Sequence, residues 1–247
     1  MPDQKLRAAA ALLFEQAAQV LFVAEHNLKT AERQLARSLP NAQVVRNPVN
    51  LTDHNVVPWC SSSTVQFANV ARLEVGFKGQ DILFEALSRD VWRDRSWQLN
   101  LYGGGNDRPY IESLCQYYNL SDRVNIVGHV HDVRAIWAEN HLLVLPSRRE
   151  GTPLALVEGM LCGRPAVVTD VGGNAEWIEE GVTGFIAEAP TADSISKALE
   201  RAWQVQASWQ QMGLTAHNTA IYNFDPNPGQ SLLQIISAVT TKQLIHA

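Results

Sequence analysis

Short apolar runs recur along most of the chain, each followed by a stretch with helical spacing. The runs at 65–70, 98–102, 124–127, 141–145, 166–169 and 183–186 have the length and composition of buried strands. Helices are predicted between and after them at about 79–89, 107–118, 132–139, 153–162, 174–179 and 192–204. Short apolar strands alternating with helices predict an α/β fold, a Rossmann-like doubly wound parallel sheet. Ahead of this regular part the pattern predicts helices at 4–18 and 27–38 and strands at 19–24 and 42–45. Asn47-Pro-Val-Asn50 turns the chain, and residues 51–63 are polar, with Pro58 and three serines, as in a linker. Two further helices, 207–222 and 229–242, flank Asp225-Pro-Asn-Pro-Gly229. The expected division is therefore a partial α/β segment over 1–50, a linker over 51–63, a Rossmann-like domain over 64–206 and C-terminal helices over 207–247.

One stretch concentrates the candidate chemistry, running from Ser147 to Gly163 after the apolar run His141-Leu-Leu-Val-Leu-Pro146. Thr152-Pro153 predicts a helix start, with a capping hydroxyl followed by proline at the first helical position. Leu154, Ala155, Leu156, Val157, Met160, Leu161 and Cys162 make this helix apolar almost all round, hence buried. Glu158 lies in its middle, where a carboxylate is costly unless hydrogen-bonded. Helical side chains lean toward the N-terminus, so Glu158 is expected to point back toward the loop carrying Glu150. Backbone N–H groups near Gly151 and Thr152 offer an anion site at the positive end of the helix dipole. A ligand with phosphates at the helix start and hydroxyls beside two carboxylates satisfies all of these features. A Glu158 held by a neighbouring arginine or a backbone amide is the structural alternative.

In a doubly wound sheet ligands lie beyond the carboxyl ends of the strands. Arg72 closes the first strand there, and Lys78 stands at the predicted start of helix 79–89, where a cation opposes the dipole unless an anion is held nearby. Gly103-Gly-Gly105 follows the second strand as a turn and lacks the third glycine of a dinucleotide fingerprint. Gly128-His129-Val130-His131 follows the third strand, without a third metal ligand in view. Asp170 and Gly172-Gly-Asn174 follow the fifth strand, with Asn174 a candidate cap.

Composition narrows the classes. Hydrophobic residues make up 46% of the 247 residues and charged residues 18%, enough for a real core. The net charge of −5 argues against general nucleic-acid binding. Cys60, Cys115 and Cys162 form neither a zinc spacing nor a disulfide framework, which predicts a reducing, cytoplasmic compartment. No apolar run approaches membrane-spanning length.

Taken in order, Phe67-Ala-Asn-Val-Ala-Arg-Leu73, Lys78-Gly79, Leu101-Tyr-Gly-Gly-Gly105, Val127-Gly128, Leu145-Pro-Ser147, Glu150 with Glu158, and Asp170-Val-Gly-Gly173 resemble the C-terminal half of a GT-B glycosyltransferase, most closely glycosyltransferase family 4. The resemblance is strong over 64–204. Residues 18–50 resemble, more weakly, the end of that family's N-terminal domain. It implies that Arg72 and Lys78 grip the donor diphosphate, that Glu158 hydrogen-bonds the ribose, and that Glu150 faces the donor sugar. It further implies that Gly151, Thr152 and Leu154 contact phosphate and sugar, and that His129 and Val130 form the base-binding loop. The implied activity is metal-independent hexose transfer with retention of configuration, from a nucleotide-diphosphate sugar to an unknown carbohydrate or lipid-linked acceptor. A UDP-sugar is expected over GDP- or ADP-sugars, with no cofactor, and Arg72, Lys78 and Glu150 are the catalytic candidates. The departure is at the front, where only some fifty residues stand in place of a domain of ~150 residues. Poor turnover by the isolated chain and an apolar face on 1–40 and 207–242, open to self-association or a partner, are the corresponding expectations. A nucleotide-sugar-binding module without turnover, and a different nucleotide-binding protein such as an oxidoreductase, remain the other readings.

Overall fold

The computed structural model describes residues 3–245. The chain forms two compact units: one spans residues 49–223, and the other joins the stretch up to Pro48 with the stretch from Phe224 onward.

The larger unit is built on six parallel strands: β3 (Val65–Val70), β4 (Trp97–Tyr102), β5 (Val124–Gly128), β6 (Leu142–Leu145), β7 (Ala166–Thr169) and β8 (Gly184–Ala187). Their order across the sheet is β5-β4-β3-β6-β7-β8. The chain therefore steps outward from β3 to β5, returns beside β3 with β6, and steps outward the other way. The reversal between β3 and β6 is the topological switch point, where such sheets open a crevice at the carboxyl ends of their strands. All four residues of β6 and all four of β7 are buried, as parallel strands covered on both faces require.

Helices α3 (Val75–Lys78), α4 (Gln80–Leu87), α5 (Arg108–Tyr117), α6 (Val133–Glu139), α7 (Leu154–Leu161), α8 (Ala192–Gln204) and α9 (Trp209–Asn223) complete this unit. α4 packs on α8, and α7 on α9. Tryptophans scattered in the sequence converge here: Trp92, Trp97, Trp203 and Trp209 surround Phe67, with ring centroids 6.1–6.4 Å from it. The Arg95 guanidinium lies 4.6 Å from the Trp92 ring and 5.0 Å from that of Trp203. It also forms a two-pronged pair with Glu200 at 2.7 and 2.9 Å, which holds that carboxyl below its ordinary range.

Several sequence expectations change. The helix expected over 79–89 is α4, and the separate one-turn helix α3 precedes it, divided from it by Gly79, whose φ is +69° and where a Cβ would collide with the Pro146 carbonyl oxygen. Lys78 therefore ends α3 rather than starting a helix, and a cation at a helix C-terminus favours the dipole. The expected helix at 174–179 is a single 3₁₀ turn, Asn174–Glu176. Asn174 does not cap it; its amide donates to the Thr169 carbonyl at 2.9 Å. α7 begins at Leu154 with Pro153 as its cap residue and no side-chain cap, so Thr152 is one residue too early for that role.

Residues 51–63 are not a free linker. Val57 and Cys60 are buried, and Arg164, itself only 1% exposed, donates to the carbonyls of Val57 and Pro58. The same guanidinium donates to Trp137, Asn140, Cys162 and Gly163 carbonyls, the C-terminal ends of α6 and α7. Burial pulls its pKa down to about 10. The C-terminal helices also divide: α9 belongs to the larger unit, and α10 (Pro228–Ile245) to the smaller.

In the smaller unit α1 (Gln4–Gln16), β1 (Val20–Phe22), α2 (Glu25–Leu35) and β2 (Ala42–Val44) accompany α10. β1 and β2 pair in parallel, Val20 opposite Ala42 and Phe22 opposite Val44. Large apolar side chains remain exposed here, as expected for 1–40 and 207–242: Leu12, Leu13, Leu233 and Ile236 are each more than half exposed.

Candidate functional site

The site is built at the carboxyl ends of β3 and β6. After β3 the chain passes Arg72 and Glu74 and turns through the single helical turn of α3, which delivers Lys78 to the loop after β6. There Lys78 Nζ lies 2.7 Å from Glu150 Oε1, the two side chains only 18% and 7% exposed. A pair this sheltered is screened far less than a surface pair.

The loop carrying Glu150 is clamped from both sides. On the α3 side, the N–H groups of Arg148 and Arg149 donate to the Phe77 carbonyl at 2.8 and 3.3 Å. The Arg148 guanidinium bridges both oxygens of Asp81, at 2.6 and 2.8 Å, and reaches the Val75 carbonyl at 2.8 Å. Hydrogen bonding to Asp81 raises the Arg148 pKa. On the β7 side, the Gly173 N–H donates to the Gly151 carbonyl at 2.6 Å. Gly172, at φ +55°, runs so close that a Cβ would collide with the Glu150 carbonyl oxygen. From within, Ser147 Oγ donates to Glu150 Oε1 at 2.7 Å, and the Ser147 carbonyl accepts from Thr169 Oγ1 at 2.6 Å.

Beyond Glu150 the chain passes half-exposed Gly151 and buried Thr152 into α7. Leu154 and Ala155, the first residues of α7, present N–H groups without intrahelical acceptors, at the positive end of the dipole. A fixed cation and a helix start therefore lie along the same loop, the composition of an anion site.

Glu158 is 5% exposed, and its Oε1 accepts the Asn50 N–H at 2.9 Å. Burial raises its pKa, and the Asn50 bond pulls it partly back. The structural alternative weighed for Glu158, a backbone amide, thus holds for this oxygen. Arg72 stands apart from Lys78: its guanidinium is 68% exposed and pairs with Glu74 at 2.7 Å. His129 is exposed and Val130 half-buried. The His129 ring meets that of His131 edge-on, centroids 4.8 Å apart. They follow β5, two strands from β3, about 10 Å away by ordinary strand spacing. Among the described residues no three His, Cys, Asp or Glu side chains group as a metal site, and no helix is long and apolar enough to cross a membrane.

The structure thus joins Lys78 directly to Glu150 and strings Gly151, Thr152 and Leu154 along one loop. It does not bond Arg72 or Glu158 to either partner. Sequence reasoning named Ser147 within a motif but gave it no role, and missed Thr169 and the Arg148–Asp81 clamp. The signal for the clamp was an arginine two residues before Glu150 with an acidic residue in the first turn of the helix after Lys78.

A groove of about 890 Å³ lies in the smaller unit, lined by Val44, Arg46, Gln234 and Ile235 among others. The sheltered ion pair and the start of α7 lie elsewhere, at the switch point of the larger unit.

A family model described as "Glycosyl transferases group 1" matches residues 64–204. Among curated proteins, the chain is 28% identical over 199 residues to alpha-D-kanosaminyltransferase of Streptomyces kanamyceticus, covering 80% of this chain and 47% of that protein. It is 29% identical over 200 residues to an exopolysaccharide phosphotransferase of Streptomyces coelicolor, covering 80% of this chain and 21% of that protein. The chain therefore spans less than half the length of either relative. Among solved structures, sucrose-phosphate synthase from Thermosynechococcus elongatus superposes with a TM-score of 0.80 at 22% identity, over 96% of this chain and 63% of that one. Anabaena HepE in complex with UDP and glucose gives 0.77 at 22% identity, over 94% and 66%. The Rossmann-like sheet is the fold these GT-B neighbours share.

Proposed function

The chain belongs to the glycosyl transferases group 1 family, and from that premise we propose that its larger unit is the donor-binding half of a retaining hexosyltransferase that uses a nucleotide-diphosphate sugar without a metal ion. The observation that carries this reading is the sheltered Lys78–Glu150 pair at the β3/β6 switch point, beside the open first turn of α7. A departing nucleoside diphosphate gains negative charge, which a fixed ammonium and helix N–H groups can stabilise without a cation. In this reading Lys78 and Arg72 hold the diphosphate, and Arg72 releases Glu74 to do so. Gly151, Thr152 and Leu154 supply backbone contacts. Glu150 faces the sugar, Glu158 takes a ribose hydroxyl, and His129 and Val130 border the base.

UDP is the favoured nucleotide, because the neighbour HepE was solved with UDP and glucose. The acceptor is a carbohydrate or a lipid-linked sugar. Cys60, Cys115 and Cys162 are free and buried, which supports a reducing, cytoplasmic setting. A second reading, a donor-binding module without turnover, is favoured by the smaller unit, whose sheet among the described residues pairs two strands. Calorimetry with UDP-, GDP- and ADP-sugars tests the proposal. Saturable binding of a UDP-sugar in preference to the others is expected, and no binding to any of them would overturn it.

A further inference from the structure

Behind the Lys78–Glu150 pair runs a hydrogen-bond chain in which three successive residues are fully buried. Asn174 Nδ2 donates to the Thr169 carbonyl at 2.9 Å, Thr169 Oγ1 to the Ser147 carbonyl at 2.6 Å, and Ser147 Oγ to Glu150 Oε1 at 2.7 Å. Asn174, Thr169 and Ser147 are each 0% exposed. The Ser147 backbone is thereby held to the end of β7, and its single O–H is committed to the same carboxylate oxygen that Lys78 contacts. Pro146, one residue before, lies against Gly79, one residue after Lys78. Ser147 and Lys78 therefore approach Glu150 from two strand ends whose spacing is fixed by backbone packing.

This arrangement has a consequence for anion binding. Lys78 cannot give its full charge to a diphosphate while it remains the partner of Glu150. If it shifts toward an incoming anion, a 7%-exposed carboxylate loses part of its compensation, and an uncompensated buried charge is expensive. A hydrogen bond to a charged group is among the strong ones. The Ser147 hydroxyl donates to that oxygen regardless of where Lys78 goes.

We propose that Ser147 is a positioning residue for donor binding: its hydroxyl holds Glu150 in place and compensates its charge, so that Lys78 can pass from Glu150 to the diphosphate. This rests on the donor-binding reading above and goes beyond it, because it gives a role to a side chain that does not itself touch the donor. The hydroxyl matters more when the diphosphate is bound than when it is absent, which separates this role from simple packing.

The experiment is a double-mutant cycle on UDP binding by the whole chain, followed by calorimetry, with a thermal melt of every variant. Ser147→Ala should weaken UDP roughly tenfold, the effect of a hydrogen bond to a charged group. Ser147→Cys keeps the shape but only a weak donor; it should lose similar affinity while melting like the parent chain, which removes packing as the cause. In the Lys78→Ala background, where no cation has to leave Glu150, removing the Ser147 hydroxyl should change UDP affinity by less than about twofold. An undiminished tenfold loss in that background would overturn the proposal and make Ser147 structural. Unchanged UDP affinity in both Ser147 variants would overturn it while leaving the donor-binding reading intact. A parent chain that binds no UDP would overturn both.

Discussion

The two units are built from the same strand–helix–strand grammar, yet among the described residues only the larger has a strand-order reversal with a sheltered ion pair beside it. In the larger unit β6 and β7 are buried along their whole length, and the strand order reverses once, between β3 and β6. In the smaller unit β1 and β2 have no fully buried residue, and a two-stranded sheet has no reversal to open a crevice. Parallel strands need cover on both faces, and two strands are too few to supply a core. Leu12, Leu13, Leu233 and Ile236 stay exposed as a result. The ion pair and helix start of the larger unit thus rest on a six-stranded sheet, whereas the described part of the smaller unit has two paired strands.

The largest expected effect is on turnover. In the proposed donor-binding reading, the purified chain should bind a UDP-sugar yet transfer it at a barely detectable rate, since positioning two reactants is worth up to ~7–11 kcal/mol. A transfer assay with a broad acceptor panel checks this; rapid turnover by a monomer would break the comparison by showing that the smaller unit suffices. Next in size is the stability of the larger unit. Arg164→Ala would remove the donor shared by the carbonyls of Val57, Pro58, Trp137 and Asn140; at 1–3 kcal/mol for each group left unsatisfied, the cost is at least about 4 kcal/mol. The melting temperature of that unit should fall by roughly 10 °C.

Glu158 sharpens the comparison by separating binding from folding. Glu158→Ala should weaken UDP by roughly 1.5–3 kcal/mol, the range for hydrogen bonds to a charged group, measured by calorimetry. Glu158→Gln keeps an acceptor for the Asn50 N–H but cannot ionise. Burial raises the folded-state pKa above the ordinary 4.5, so the unfolded chain ionises first as pH rises. The contribution to stability is intact below about pH 4.5 and is lost as pH climbs through the raised value. Denaturant unfolding across this range should show the decline in the parent and a flatter profile in Glu158→Gln. The smallest effect belongs to Arg72→Ala. Its guanidinium is 68% exposed and must give up Glu74, so the loss in UDP affinity should be about 1 kcal/mol or less.

Much of the larger unit was legible: β4 and β5 were found by their length and spacing despite polar residues at alternate positions, and β6 and β7 because they are short, continuous apolar runs, as buried strands of a sheet covered on both faces are. The burial of α7 and the strangeness of Glu158 within it were legible for the same reason. Residues 51–63 misled, because polar composition conceals Val57 and Cys60, and because the residue that grips this stretch, Arg164, lies a hundred positions away. The one-turn helix α3 before Gly79 was not legible, being too short to show a period, and the left-handed turn at Gly79 that ends it is set by a backbone approach to Pro146. Ser147 was visible in its motif but mute, since its meaning depends on Lys78 and Thr169, brought to it from the ends of two other strands.

In the proposed reading the switch point of the larger unit holds a nucleoside diphosphate by Lys78, with Arg72 and the α7 start, and without a metal ion. The most direct test is a calorimetric titration of the purified chain with UDP, with and without EDTA, repeated on Lys78→Ala. The account predicts saturable binding that EDTA leaves unchanged and that Lys78→Ala weakens by about 10–100-fold, as expected for a charge-assisted contact. Binding that vanishes with EDTA and returns only with Mg²⁺ or Mn²⁺, or that is indifferent to Lys78, would contradict it.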